Sequence, residues 1–321
     1  MPVTRSRLTN AATPPAPAAP RPRRSAGGRL AAAALAAVTG LTAVAATACT
    51  SSGDTTDQAA STTLGEESEH KSAAGEPPAW DVSPASLAAL GDSITTGFDA
   101  CSVLSDCPEV SWATGTEPGV DSLAQRLPAE QTWNEAVAGA RMADLPEQAR
   151  RAVAHRPELF TVLIGANDAC APDTESMTPV ADFRKDFAET LSIIRAALPT
   201  AQIYVASVPD LHRLWTVGRE NALAQQIWRF GICPSMLGQS EAEAEAAATA
   251  RRDEVRERVQ EFNTVLEDVC SEDERCRYDD GAVFAYPFTV AELSRWDWFH
   301  PGVAGQRVLA DIAHERITSP D

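Results

Sequence analysis

Short apolar runs alternate with helix-patterned segments through most of this chain, and that alternation restricts the fold more than any other feature. Apolar runs predict strands at residues 86–90, 133–137, 159–164 and 203–208, and helical spacing predicts helices at residues 143–154, 180–197, 241–269 and 303–317. Such alternation indicates a parallel sheet covered on both faces. We therefore predict the α/β class, as a three-layer α/β/α sandwich with a central parallel sheet.

Glycines and polar residues follow three of the predicted strands. Gly91, Gly139 and Gly165 each stand at or just beyond the end of an apolar run. In open parallel sheets, ligands bind beyond the carboxyl ends of the strands. The sequence therefore predicts a functional site at this edge of the sheet.

The first 48 residues follow the order of a secretory signal. Residues 1–29 contain six arginines and no acidic residue, and an uncharged run rich in Ala, Leu and Val follows over residues 30–48. The end of this run, Ala46-Thr47-Ala48-Cys49, resembles the lipobox of bacterial lipoproteins, in which the cysteine is lipidated. We predict a lipoprotein-type signal peptide over residues 1–48 and lipidation of Cys49. An ordinary cleaved signal and a retained membrane helix remain alternatives.

The composition changes twice after the predicted cleavage point. Residues 49–81 are dominated by Ser, Thr, Gly, Ala and Glu, which predicts a disordered tether attached to the lipid at Cys49. Residues 82–321 have a globular composition and a length suited to one α/β domain. We expect an exported monomer, held on the outer face of the cell membrane or secreted.

The charge balance excludes some partners. The whole chain has 27 basic and 45 acidic residues, and loss of the predicted signal would leave 21 basic residues against 45 acidic ones. A surface this acidic repels phosphate backbones, so we expect no nucleic-acid partner. It also disfavours binding to anionic lipid, so membrane attachment would depend on acyl chains at Cys49.

Seven cysteines become six once Cys49 is assigned to lipid, and an even number in an exported chain indicates disulfides. Fifteen pairings are possible. Two pairs lie close in sequence, Cys101–Cys107 and Cys270–Cys276, which leaves Cys170–Cys233 as the third. No CxxC, HExxH, P-loop or G-x-G-x-x-G pattern occurs, so we expect neither a metal site nor a cofactor.

Four ordered segments resemble the sequence blocks of the GDSL family, also called SGNH hydrolases. They are Leu90-Gly91-Asp92-Ser93-Ile94-Thr95, Asn134-Glu135-Ala136-Val137-Ala138-Gly139-Ala140, Ile164-Gly165-Ala166-Asn167-Asp168 and Asp297-Trp298-Phe299-His300-Pro301. The resemblance extends over about residues 85–310, nearly the whole globular part. It implies a flavodoxin-like SGNH hydrolase fold and a serine esterase or lipase.

The resemblance implies that Ser93 is the nucleophile, His300 its base and Asp297 the acid that orients the imidazole. These roles agree with the chemistry, because a neutral hydroxyl needs a base within hydrogen-bond reach. In some relatives a backbone carbonyl replaces the acid. The resemblance further implies an oxyanion hole made of the Ser93 amide, the Gly139 amide and the Asn167 side chain.

The substrate is less constrained. Two insertions, residues 98–120 and 209–239, carry aromatic residues that could either hold an acyl chain or pack in the core. The three predicted disulfides resemble those of secreted actinobacterial members of the family, which implies hydrolysis of small-molecule or lipid carboxylic esters. A carbohydrate O-deacetylase, a phospholipase and a thioesterase remain alternatives. Outside enzymes, the alternative is a tethered cell-wall binding protein on a retired hydrolase scaffold.

Overall fold

The computed structural model describes residues 79–127, 129–238 and 243–320. In these residues five parallel strands form one sheet in the order β2-β1-β3-β4-β5. The strands are β1 (Ser86–Gly91), β2 (Gln131–Asn134), β3 (Leu159–Leu163), β4 (Gln202–Val205) and β5 (Cys276–Tyr278). This strand order is that of flavodoxin-like folds, so the predicted fold is confirmed.

Helices cover both faces of the sheet. They are α1 (Leu123–Arg126), α2 (Leu145–Val153), α3 (Ala166–Ala169), α4 (Val180–Ala197), α5 (Leu211–Gly218), α6 (Ala222–Trp228), α7 (Pro234–Leu237), α8 (Glu245–Ser271), α9 (Ala282–Ala285) and α10 (Val303–Thr318). Helix α1 contacts α10, whereas α4 contacts both α2 and α8. With right-handed crossovers, α1 and α10 lie on one face and α2, α4 and α8 on the other.

Burial explains which strands the sequence predicted well. Strands β3 and β4 are fully buried, and β1 is buried except at its first residue, so each reads as a continuous apolar run. Strand β2 lies at an edge and is half exposed, and it occupies Gln131–Asn134 rather than the predicted residues 133–137. Strand β5 was not predicted, because the three residues of this edge strand, Cys276–Tyr278, include a central arginine and form no apolar run.

The three disulfides of the structure are the predicted ones: Cys101–Cys107, Cys170–Cys233 and Cys270–Cys276. Disulfides are typical of exported proteins. None of the helices in the described residues is long and apolar enough to cross a membrane. The predicted signal peptide, Cys49 and all but the last three residues of the predicted tether lie outside the described residues.

The fold begins slightly before the predicted start of the domain at residue 82. The Trp80 indole donates a hydrogen bond of 3.0 Å to the Ile317 carbonyl at the end of α10. The Arg277 guanidinium of β5 lies 4.2 Å from the centre of the Trp80 ring, which adds a cation–π contact. Trp80 is thus part of the packed structure.

Candidate active site

The strand order creates a crevice at the carboxyl ends of β1 and β3, because the chain crosses in one direction from β1 to β2 and in the other from β2 to β3. Ser93 lies two residues beyond β1 and Asn167 lies four beyond β3. Gly139 lies in the loop after β2. The topology therefore brings three separate sequence blocks to one edge.

Gly91 allows the chain to leave β1 tightly beside β3. Its φ is +153°, and a Cβ at this position would lie 2.3 Å from the Leu163 carbonyl oxygen. The Gln148 side chain of α2 accepts a hydrogen bond from the Gly91 amide at 2.8 Å and donates one to its carbonyl at 2.9 Å. The backbone that leads to Ser93 is therefore held by both a strand and a helix.

Three residues with amide donors, Ser93, Gly139 and Asn167, line one cavity. In the described part of the chain, neither the Ser93 amide nor the Gly139 amide donates to a protein acceptor. The Asn167 Nδ2 donates one hydrogen to the Ala140 carbonyl at 3.0 Å, which orients the side chain and leaves its second hydrogen free. Gly139 has a φ of +82°, and a Cβ there would meet no atom within 4 Å.

The His300 imidazole bridges two side chains. Its Nε2 lies 3.0 Å from the Ser93 Oγ, and its Nδ1 lies 2.5 Å from the Asp297 Oδ2. Asp297 Oδ1 accepts hydrogen bonds from the backbone amides of Phe299 and His300 at 2.9 and 3.0 Å. The carboxylate that contacts the imidazole is therefore fixed by the same turn that carries His300.

Buried carboxyl groups set the electrostatics around His300. Burial acts to lower the pKa of His300, but the hydrogen bond and the charge of Asp297, with the charge of Asp92, raise it above its ordinary value. Burial acts to raise the pKa of Asp297, yet the hydrogen bond and charge of His300 hold it below its ordinary value. A charged imidazolium is thus stabilised where it would form.

Asp92 lies directly before Ser93 and is fully buried. Its Oδ1 accepts a hydrogen bond from the Ile94 amide at 2.9 Å, and its Oδ2 has no partner within the described residues. Burial raises the pKa of Asp92 to about 7. Asp168, beyond Asn167, is also buried, and burial raises its pKa to about 6.

The sequence of this chain matches a family model as well. The model of the GDSL-like lipase/acylhydrolase family matches residues 89–308, which is more than half of the chain. This protein belongs to that family. The family membership predicted from the four sequence blocks is therefore confirmed. Membership in this family is consistent with ester hydrolysis.

One known protein is similar in sequence to part of this GDSL-like chain. Membrane-associated phospholipase B1 of Homo sapiens is 27% identical over 194 residues, which are 47% of this chain and 13% of that relative. The chain thus spans a small fraction of the length of that curated relative.

Two solved structures are similar over most of the GDSL-like domain. An acetylxylan esterase of Geobacillus stearothermophilus is 18% identical, with 74% of this chain and 96% of that chain covered and a TM-score of 0.46. A phospholipase A1 of Streptomyces albidoflavus is 16% identical, with 72% and 100% covered and a TM-score of 0.45.

A cavity of about 420 Å³ adjoins Ser93 in the GDSL-like domain. Ser93, Gly139, Asn167 and His300 supply its polar lining, and the rest of its wall is mainly apolar. That wall comprises Phe98, Ile232, Phe299 and the Cys170–Cys233 disulfide. The Phe98 ring also packs edge-on against the His300 ring, with centroids 5.2 Å apart.

The structure of this GDSL-like protein brings all five residues of the predicted site together. Sequence reasoning missed Phe98, Phe299 and Ile232 in the cavity wall, although Phe98 and Ile232 lie inside the two insertions that it named. The tryptophans of those insertions mostly serve the core, since Trp112 and Trp228 are buried. No pattern in one sequence distinguishes a lining aromatic residue from a core aromatic residue.

Proposed function

We propose that this protein is an exported serine hydrolase that cleaves carboxylic esters through an acyl-enzyme intermediate. The observation that carries the proposal is the continuous relay from the Ser93 Oγ to His300 at 3.0 Å and from His300 to Asp297 at 2.5 Å. This is the arrangement in which a histidine can activate a serine hydroxyl while a carboxylate orients the ring.

In the first half of the reaction, the His300 Nε2 accepts the Ser93 hydroxyl proton as Oγ attacks the ester carbonyl carbon. The carbonyl oxygen becomes an oxyanion, which the Ser93 and Gly139 amides and the Asn167 Nδ2 stabilise. The protonated imidazole then donates its proton to the departing alcohol. This leaves an acyl group on Ser93, and the alcohol diffuses away.

In the second half, a water molecule replaces the alcohol. His300 accepts a proton from this water, which attacks the acyl carbonyl carbon and forms a second oxyanion in the same set of donors. His300 then returns the proton to the Ser93 Oγ, and the carboxylic acid is released. Throughout, Asp297 keeps the Nδ1 proton on the imidazole and stabilises its charged form.

The apolar wall of the cavity favours the binding of an acyl group, rather than a sugar ring, next to Ser93. The side chains of Phe98, Ile232 and Phe299 offer no charge, and the volume of about 420 Å³ leaves room for a short or medium chain. A phospholipase is the second candidate, supported by the similarity to human phospholipase B1.

We further propose that the protein is a lipid-anchored exported monomer. The order of basic, apolar and small residues before Cys49 supports the anchor, and the three disulfides support export. A Cys49→Ser variant is expected to leave the membrane fraction and enter the medium. Its continued retention in the membrane would refute anchoring through this cysteine.

The decisive experiment compares p-nitrophenyl esters from acetyl to palmitoyl and a phospholipid as substrates of the wild type, Ser93→Ala and Ser102→Ala. Ser102 is exposed and serves as the matched control. We expect Ser93→Ala alone to lose turnover and labelling by a fluorophosphonate. Equal rates in the wild type and Ser93→Ala would refute the proposed nucleophile. Absence of both turnover and labelling in the wild type would favour a binding protein.

A further inference from the structure

A second buried carboxyl group, that of Asp99, lies next to Asp297 and His300. Asp99 is 2% exposed. One carboxylate oxygen of Asp99, one of Asp297 and a ring nitrogen of His300 all lie within 4.8 Å of one another. The acid that orients His300 therefore has a partner acid, which the roles proposed above do not use.

The backbone on both sides of Asp99 fixes the position of its carboxyl group. The Asp99 amide donates to the Ser105 carbonyl at 3.0 Å, and the Leu104 amide donates to the Asp99 Oδ1. The Asp99 carbonyl accepts a hydrogen bond of 2.6 Å from the Ser294 hydroxyl. Asp99 has a φ of +56°, in the left-handed region that Asp adopts more readily than most residues because its short side chain forms local hydrogen bonds. The surrounding contacts thus hold the carboxyl group against Asp297.

Charge considerations allow only one of the two carboxyl groups to ionise readily. Among the ion pairs of the described residues, no lysine or arginine pairs with Asp99 or Asp297. Two adjacent buried carboxylates repel each other, so one of them keeps a proton. Asp297 accepts three hydrogen bonds from N–H groups, whereas Asp99 accepts one. Asp297 is therefore the better site for the negative charge.

We propose that Asp99 is a positioning residue, which stays protonated and donates a hydrogen bond to Asp297 so that His300 meets a single, fixed carboxylate. This inference rests on the proposed function, because it assigns a role within the same relay. The proton of Asp99 is not transferred during the reaction. It draws negative charge away from the Asp297 oxygens and so moderates the basicity of His300.

The directions in which the pKa values of Asp99 and Asp297 are shifted agree with this assignment. Burial and the charge of Asp297 raise the pKa of Asp99 above its ordinary value, whereas the pKa of Asp297 is lowered. The titratable groups that face His300 are Asp297, Asp92 and Asp99.

Two charged groups on the adjoining loops make other contacts. Asp106, on the loop that follows Asp99, accepts a hydrogen bond from the Thr96 hydroxyl at 2.5 Å. Arg295, on the segment that leads to His300, lies over the Trp296 ring at 4.6 Å. Within the described residues, neither of these two groups forms an ion pair with Asp99 or Asp297.

Two substitutions separate a neutral donor from a charged group. Asp99→Asn keeps the shape and a donor towards Asp297 but cannot ionise. Asp99→Leu removes the donor. We expect the pKa of His300 to stay close to the wild-type value in Asp99→Asn and to rise by about one unit in Asp99→Leu, because the Asp297 charge is then less dispersed.

The measurement is an NMR titration of the full-length protein with labelled histidine, in which His300→Gln assigns the His300 signal among the five histidines. A fall in the pKa of His300 in either variant would identify an ionised Asp99 and overturn the proposal. Equal values in all three proteins would also overturn it, since a merely structural Asp99 would alter only thermal stability. Should Asp99→Leu not fold, Asp99→Ala, which also removes the donor, takes its place with the same expected rise in the pKa of His300.

The same two variants connect the titration to catalysis. The acid limb of kcat/KM for a p-nitrophenyl ester is expected to move with the pKa of His300. Since the NMR titration needs no turnover, the two proposals fail separately. The expected NMR shifts without ester hydrolysis would refute the proposed function alone, and hydrolysis without these shifts would refute the role of Asp99 alone.

Discussion

The Trp228 indole Nε1 donates a hydrogen bond of 2.8 Å to the carbonyl oxygen of Asp297. Both residues are buried. This bond joins helix α6, which lies in the 209–239 insertion, to the turn that carries Asp297 and His300. The insertion therefore holds the turn that carries Asp297 and His300 in place. It also supplies part of the cavity wall through Ile232 and Cys233.

Trp228→Phe should weaken this support. The substitution leaves the Asp297 carbonyl without its buried donor, which costs about 1–3 kcal/mol. We expect a matching loss in the free energy of unfolding measured with urea, together with a lower kcat. Trp215→Phe is the control, because Trp215 is partly buried and packs against Arg219 and Arg252. Equal stability and kcat in the two variants would show that the bond has no such role.

Asn167→Asp tests the third oxyanion donor. The substitution preserves the shape of the side chain but replaces the donating amide with a carboxylate, so the developing oxyanion loses a donor and meets a like charge. We expect kcat to fall at least about 100-fold. Circular dichroism should show an intact fold. A kcat within a few-fold of the wild type would remove Asn167 from the proposed site.

Removal of the Cys170–Cys233 disulfide should affect both stability and substrate binding. This disulfide closes 63 residues, and its loss through the double alanine variant is expected to cost about 4 kcal/mol. The KM for a medium-chain ester should rise, because the disulfide forms part of the cavity wall.

The matched comparison is the double alanine variant at Cys101–Cys107, which closes only six residues. Loss of the Cys101–Cys107 disulfide is expected to lower the free energy of unfolding by about 2 kcal/mol. Thermal and urea unfolding measure both variants. An equal loss of stability in the two would contradict the dependence on loop length.

Asp92 should make the stability of the protein depend on pH. Its folded-state pKa of about 7 lies above the ordinary value of 3.8, so the folded state binds this proton more tightly than the unfolded state. The contribution of Asp92 is therefore present below about pH 4 and is lost as pH rises towards 7, at most about 1.4 kcal/mol per pH unit.

Urea unfolding at several pH values between 4 and 8 measures this dependence. The decline in the free energy of unfolding should be shallower in Asp92→Asn than in the wild type. Asp253→Asn, at an exposed position of α8, controls for the loss of one negative charge. An identical slope in Asp92→Asn and Asp253→Asn would refute the assignment to Asp92.

Periodic and local features could be predicted from the sequence. Helix α4 occupies Val180–Ala197, the predicted range, because its apolar positions recur at helical spacing. Strands β1, β3 and β4 were predicted for the same kind of reason. The short edge strands β2 and β5 were shifted or missed, because they are partly exposed and so form no continuous apolar run.

The sequence by itself determined the chemistry that this protein can offer: a serine after a strand, an Asp-x-x-His turn, a glycine and an asparagine at strand ends, and six cysteines for three disulfides. Residue types and spacings suffice for these features because each depends on local chain geometry. Tertiary structure alone decided that Ser93 and His300 lie 3.0 Å apart, that Phe98 and Ile232 share a cavity wall, and that Asp99 is buried against Asp297. These relationships join segments far apart in the chain or depend on burial, which arises only when the helices and loops pack around the sheet.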